Sequence, residues 1–354
     1  MPVRTISASQ LQEFSTCRRR WGYSALEHLD SRRQSYALWF GIGVHHALDR
    51  FYSLGFDPSV SFDTWWSTET TKQQAGQRSL LGERDIEQKW LELRQLGIGM
   101  LSHYREWARL QDDFEVLATE ADFRVPIPET EGHLVGRFDG IIRLWRRPND
   151  VYLLEHKSYS IKPPQYFLLL DEQTNVYQWA ATKLLASGDL AQYGVPETAT
   201  VKGVLYNGLR KAVPTTPPLA DDGKSLLRDA RIATTYELYL ASIREHDFSP
   251  SDYADVLVKL KLRGNRYFYR EWIQRSAEEL TRLERRLTSQ FRAMSNPEVA
   301  LLPSPTWDCY WRCPYFSLCV AENTGKDYDE IKRTQYAPRV WSREKTPSTT
   351  DDFL

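Results

Sequence analysis

Four cysteines constrain this chain more than any other feature: Cys17 stands alone near the N-terminus, and Cys309, Cys313 and Cys319 follow in C-x3-C-P-x4-C order near the C-terminus. If the four serve one site, the two ends of the chain must meet. Closing so long a loop removes much denatured-state entropy, as a long-loop crosslink does. A secreted disulfide scaffold would be smaller and denser in cysteine, so a metal site in a reducing, cytoplasmic setting is the better reading. Four thiolates suit a structural zinc or a [4Fe-4S] cluster, and the spacing permits both. Four unrelated small core residues are the alternative. Trp307, Tyr310, Trp311, Pro314, Tyr315 and Phe316 are expected to wall the site from solvent.

The 354 residues are 41% hydrophobic and 26% charged, which suits a folded globular protein. There is no run of about 18 apolar residues, so no membrane span is expected. The opening MPVRTISASQLQEF lacks the apolar stretch of a secretory signal. Forty-six basic residues against 47 acidic ones exclude a wholly basic nucleic-acid coat but leave room for a local basic groove.

Periodicity predicts a helix over 9–29, a second opening at Gly41-Ile-Gly-Val-His45-His46, and a third over 85–109. The segments 114–127, 134–145 and 151–157 read as strands, with Pro148-Asn149-Asp150 turning the last two into an antiparallel hairpin. A helix is expected over about 165–187, a strand over 200–208, and a helix over about 225–245. A short strand over 266–270 and a long helix over about 270–293 follow, and the tail from 342 is expected to be loose. The outline is α/β or α+β.

The hairpin carries the chemistry. With its turn near residue 148, Asp139 should face Lys157, and Glu155, two residues from Lys157, points the same way. Two carboxylates and an ammonium then converge. Carboxylate oxygens suit Mg²⁺ or Mn²⁺, and a lysine can orient a water or stabilise an anionic transition state. A solvated cross-strand ion pair would explain the same residues, but acids within apolar strands are expensive to bury unless something binds them. Glu120, on the preceding strand, could face the same spot, although a solvated strand position is the simpler account.

Asp139 followed by Glu155-x-Lys157 resembles the PD-(D/E)xK nuclease signature, with its proline position replaced. Gly41-Ile-Gly-Val-His45 resembles the G-x-x-x-H motif of the RecB-like branch, and Gln173-Thr-Asn-Val-Tyr177 its Q-x-x-x-Y motif. One N-terminal and three C-terminal cysteines resemble the iron–sulfur subset, which includes AddB-type nucleases and related CRISPR-associated and stand-alone exonucleases. The resemblance implies a restriction-endonuclease-like α/β fold, with a small mixed sheet, helical additions and a cysteine staple. It also implies a metal site of His45, Asp139, Glu155 and the carbonyl of His156, with Lys157 placing the water. Gln173 and Tyr177 would hold the DNA backbone or the metal ligands. His46 would be packed or exposed, and the side chain of His156 should point away from the site.

For the substrate, Arg18-Arg19-Arg20, Arg32-Arg33 and the segment Lys259, Lys261, Arg263, Arg266, Tyr267, Tyr269 are the candidates. The last interleaves cations for phosphates with rings for stacked bases, as a single-strand groove does. The expected organisation is a helical region over 1–112, a nuclease core over 113–210, an insertion and long helix over 211–300, the cysteine cluster over 301–325 and a polar tail over 326–354. The expected activity is exonucleolytic cleavage of single-stranded or end-bearing DNA in recombination, repair or phage DNA processing. The chain has no G-x-x-x-x-G-K-[ST], so a helicase or recombination partner would be a separate chain. The alternatives are a non-catalytic DNA-end-binding subunit with the same fold and cluster, and a zinc-stapled scaffold.

Overall fold

A computed structural model of the chain describes residues 4–32, 35–77 and 83–339. Arg33 of the basic pair and the tail from 342 lie outside them. In chain order the elements begin with β1 (Thr5–Ile6), α1 (Ala8–Thr16), α2 (Arg18–Trp21), β2 (Leu29–Ser31), α3 (Tyr36–Leu54), α4 (Pro58–Gln77) and α5 (Glu83–Gln111). There follow β3 (Phe114–Pro126), β4 (His133–Leu144), β5 (Arg147–Tyr159), α6 (Gln165–Leu168), α7 (Glu172–Ala186), β6 (Thr200–Arg210), α8 (Tyr236–Glu245) and α9 (Ala254–Arg263). The chain continues through β7 (Phe268–Ile273), α10 (Ala277–Ser295), α11 (Cys309–Arg312), α12 (Phe316–Thr324), α13 (Tyr328–Gln335) and β8 (Tyr336–Pro338). They form two compact units, one within Val3–Ala8 and Ser35–Arg292, the other within Ser9–Gln34 and Ala293–Leu354.

The larger unit is built on a six-stranded mixed sheet in the order β1-β4-β5-β6-β7, with β3 on the remaining edge of β4. β3 follows β4 antiparallel from Phe114↔Leu144 to Pro126↔His133. On the other edge, β5 pairs with β4 only as far as Gly140↔Leu154, and β1 pairs at Thr5↔His133 and Ile6↔Leu134. β4 and β5 therefore part just before Asp139. β5 runs on parallel to β6 through Tyr159↔Arg210, and α6 and α7 make the crossover that parallel neighbours require. Helices α3, α4 and α5 pack through a ring-rich core of Trp39, Phe40, Phe62, Trp66 and Trp90. Gly43 is required there, because a Cβ would stand 2.6 Å from the Trp65 ring.

The hairpin differs from expectation in one respect. The chain reverses at Trp145–Arg146, and Pro148-Asn149-Asp150 lies within β5. The register shifts by two: Gly140 pairs with Leu154, and continuing the ladder would set Asp139 against Glu155 rather than Lys157. A two-residue shift preserves the face, since side chains alternate with period two. The helix expected over 225–245 begins only at Tyr236, where the Thr235 side chain accepts the Leu238 N–H as a cap. The helix expected over 165–187 is divided at Asp171, whose carboxylate caps α7 through the Thr174 N–H at 2.8 Å.

The smaller unit joins the two ends of the chain, and β2 pairs antiparallel with β8. The helix expected over 9–29 breaks at Cys17, whose backbone is extended at φ −158° and ψ 108°. Tyr23, Leu29, Tyr315, Leu318 and Tyr336 form its core, against which Cys313 and Cys319 pack.

Candidate metal centre

Where β4 and β5 part, the His156 N–H has no ladder partner on β4, and the Asp139 carboxylate takes it: Oδ2 accepts that N–H at 2.7 Å. The other oxygen, Oδ1, lies 3.2 Å from Nδ1 of His45 on α3. His46, the next residue, faces the Trp65 ring instead, at 6.2 Å. Glu120 comes opposite Asp139 from β3 with φ 47°, a left-handed backbone uncommon away from glycine and concentrated at functional sites. His45, Glu120 and Asp139 each offer a ligand atom, all within 4.8 Å of one another. The solvated position expected for Glu120 is thus corrected. The backbone turn that brings it in has no sequence signature.

Glu155 is 1% exposed. Its Oε1 accepts from Lys157 Nζ, while its Oε2 is buried without a hydrogen-bond partner. Lys157 also donates to Gln173 Oε1 at 2.9 Å. The Tyr177 ring packs edge-on against Phe123 and Phe138, and its hydroxyl meets Gln173. Gln173 therefore holds Lys157, and Tyr177, one α-helical turn on along α7, meets Gln173.

The electrostatics sort the acids. Burial would raise the Asp139 carboxyl, but the His45 imidazole beside it holds it well below the usual carboxylate range. Burial, then the neighbouring Asp139 charge, pushes Glu155 up to about 7 against the pull of Lys157. Burial and Asp139 raise Glu120 as well. Lys157 stays charged: burial opposes this, and Glu155 and Asp139 outweigh it. His45 is raised because Asp139 outweighs its burial. Charge is concentrated here at a cost, and a divalent cation would relieve it. Glu155 Oε2 is the clearest sign of fit, as a carboxylate oxygen buried with nothing to accept from.

The segment expected to form a single-strand groove is arranged otherwise. Residues 259–263 lie on α9, with Lys259 and Lys261 exposed, and Arg266 is exposed beyond its end. Arg263 donates to the carbonyls of Ala230 and Thr234 at 2.5 and 2.6 Å. Tyr267 and Tyr269 are 4% and 7% exposed, and the Tyr267 hydroxyl donates to the Ala233 carbonyl. Rings so covered offer no face to a base. The three consecutive rings are all buried, Phe268 against Tyr104 and Trp107 and Tyr269 against Tyr159 and Tyr206, so they pack both faces of β7.

In the smaller unit, Cys17, Cys313 and Cys319 lie close enough for charge on one to raise another, and Cys309 acts on Cys313 in the same way. Burial is the first cause of the raised Cys313 and Cys319 thiols. The Ser304 and Thr306 N–H groups donate to the sulfurs of Cys17 and Cys309 at 3.5 and 3.3 Å. Trp307, Tyr310 and Trp311 are exposed rather than walling the cysteines off.

Carboxylates, a lysine and a helix histidine gathered at the parting of two strands are the residue types that metal-assisted phosphodiester chemistry employs. Over residues 5–320 the chain matches the PD-(D/E)XK nuclease superfamily, and it belongs to that family. No curated protein matches it. No helix among the described residues is long and apolar enough to cross a membrane.

Proposed function

We propose that this protein is a metal-dependent DNA exonuclease acting on single-stranded or end-bearing DNA in recombination, repair or phage DNA processing. The partnerless oxygen of Glu155 beside the Asp139–His45 pair is the observation that carries the reading. Asp139, Glu155, His45 and Glu120 would hold one or two Mg²⁺ or Mn²⁺ ions, with the carbonyl of His156. A bound ion of this kind lowers the pKa of water and neutralises charge on phosphate. Asp139, held ionised, supplies a fixed negative oxygen. Lys157, steadied by Glu155 and Gln173, presents an N–H to the attacking water or to the phosphate oxygen that gains charge. The preference for ends follows from the RecB-like motifs rather than from the centre itself. Intact acids and lysine speak against a non-catalytic subunit.

The substrate strand would leave the centre along the loop joining Lys157 to Gln173. There Tyr166 and Phe167 are 67% and 60% exposed, and Arg275 grips the carbonyls of Leu168 and Leu169 at 3.1 and 2.9 Å. Held rings of this kind suit base stacking.

On the same reading the four cysteines carry a [4Fe-4S] cluster. The resemblance to the iron–sulfur subset favours the cluster over zinc, and the cysteine spacing in the sequence permits both. Protein purified without air should be brown, with Cys17→Ser colourless. A colourless protein with stoichiometric zinc would reject the cluster alone.

The decisive test offers labelled linear and circular single strands with Mn²⁺, against Asp139→Ala. Loss of the linear strand alone is expected. Cutting of circles would reject the exonuclease, and no cutting at all would leave an end-binding subunit.

A further inference from the structure

The imidazole of His156 lies on the face of β5 opposite Glu155 and Lys157, 6.2 Å from the His45 ring, in a polar network that the centre's chemistry does not use. Its register partner on β6 is Asn207, whose own partner on β7 is Arg270, so the three lie in one row across adjacent strands. Asn207 is 0% exposed. Its Nδ2 lies 2.8 Å from His156 Nδ1 and donates to the Tyr104 hydroxyl at 2.8 Å, while its Oδ1 faces Arg270 Nε at 3.3 Å. Arginine has no acceptor, so Arg270 fixes which way the Asn207 amide points. The amide N–H₂ then faces His156, and Nδ1 must accept. One donor-only side chain, two strands away, thereby sets the imidazole tautomer.

The row is closed by two helices. Tyr52 of α3 stacks on the His156 ring at 5.5 Å, accepts from Arg270 Nη2 at 3.1 Å and shares a 2.7 Å hydrogen bond with Tyr104 of α5. Arg270 is ion-paired with Asp112. Tyr52 is seven residues after His45, two turns along the same face of α3. Its contacts therefore fix where α3 lies along the sheet, and with it the approach of His45 to Asp139. The His156 ring fixes the peptide whose N–H holds Asp139.

We propose that His156, Asn207, Arg270, Tyr52 and Tyr104 form a positioning device for the metal centre, coupling helix α3 to strand β5 from the reverse face of the sheet. A buried polar and ionic row adds little net stability compared with apolar side chains of the same size, so geometric definition is what it provides. The proposal rests on the metal-centre reading above. Removing the outer partners of metal ligands typically weakens metal affinity by about 10–100-fold.

The test is Mn²⁺ titration of the full chain, followed by the electron paramagnetic resonance signal of free Mn²⁺, with DNA affinity measured in chelator alongside. Tyr52→Phe keeps the ring stack and removes only the hydroxyl. Asn207→Asp turns an acceptor toward His156 Nδ1. Both should raise the Mn²⁺ dissociation constant about tenfold or more, leaving chelator-state DNA binding unchanged. If wild type binds Mn²⁺ and Tyr52→Phe binds it equally well, the device is refuted, whatever becomes of Asn207→Asp. If wild type binds no Mn²⁺, the metal-centre reading fails and the proposal falls with it.

Discussion

The two faces of β5 handle buried polarity in opposite ways. On one, Glu155 keeps an oxygen with no partner beside the charge of Asp139, which also faces Glu120. On the other, both donors of Asn207, its acceptor and the His156 nitrogen facing it are matched. Alternation along a strand puts residues one apart into these two environments. The difference teaches how to read buried polar groups: an incomplete set marks where something must arrive, and a complete set marks what holds the place ready.

The largest effect expected from breaking this contrast is catalytic. Asp139→Ala, Glu155→Gln and Lys157→Ala should each lower single-strand cleavage by at least about 10²–10³-fold, while gel-shift affinity for the same strand in chelator stays near wild type. Substantial cleavage by a variant lacking both Asp139 and Glu155 would remove the centre from this face altogether.

On the reverse face the cost should appear in stability. Arg270→Ala leaves the buried Asp112 charge uncompensated and strips Asn207 and Tyr52 of a donor, so about 3–5 kcal/mol should be lost. Urea denaturation measures it. A loss no greater than that of Glu155→Gln would erase the distinction between the two faces.

Acid sharpens the contrast. Burial pushes His156 down to about 3, so the folded protein refuses a proton that the unfolded chain binds below about 6.5. Its contribution to stability is present above about 6.5 and is lost as pH falls towards about 3. His156→Gln should flatten metal-free stability across that window. An unchanged slope would mean that His156 titrates like an exposed histidine.

How much of this was legible follows from range. Asp139, Glu155, Lys157, Gln173 and Tyr177 fall on short, regular elements, and alternation or an i,i+4 step is enough to group them. The face was readable even though the turn was misplaced, because a two-residue error in register leaves the face intact. Glu120 was obscured by a left-handed backbone, which no glycine announces. The reverse-face row joins α3, α5, β5, β6 and β7, and nothing in the local sequence of Asn207 or Arg270 refers to His156. Such a set exists only once the sheet order is known. The joining of the chain's ends could be posed from cysteine spacing, whereas exposure of Trp307, Tyr310 and Trp311 could not, since an aromatic run reads the same whether it packs or projects.

The smallest effect tests that last ambiguity, between Tyr267 and Tyr269 on one side and Tyr166 and Phe167 on the other. The first pair are buried, with the Tyr267 hydroxyl on the Ala233 carbonyl and the Tyr269 ring beneath Lys162 Nζ at 3.9 Å. The second pair project from α6, in a segment pinned at Lys162 and Gln165 by Glu271, each at 3.2 Å, and at its far end by Arg275. Loss of a stacking ring weakens single-strand binding by about 1–3 kcal/mol per base. Tyr166→Ala and Phe167→Ala should therefore weaken binding of a labelled single strand by that amount each, without moving the melting temperature, because neither ring is packed. Tyr267→Phe should leave binding unchanged and cost stability by about 1 kcal/mol, the worth of one buried hydrogen bond. If the buried tyrosine moved affinity and the projecting rings did not, the strand would follow β7 and α9 after all, and the exposed rings would belong to some other surface.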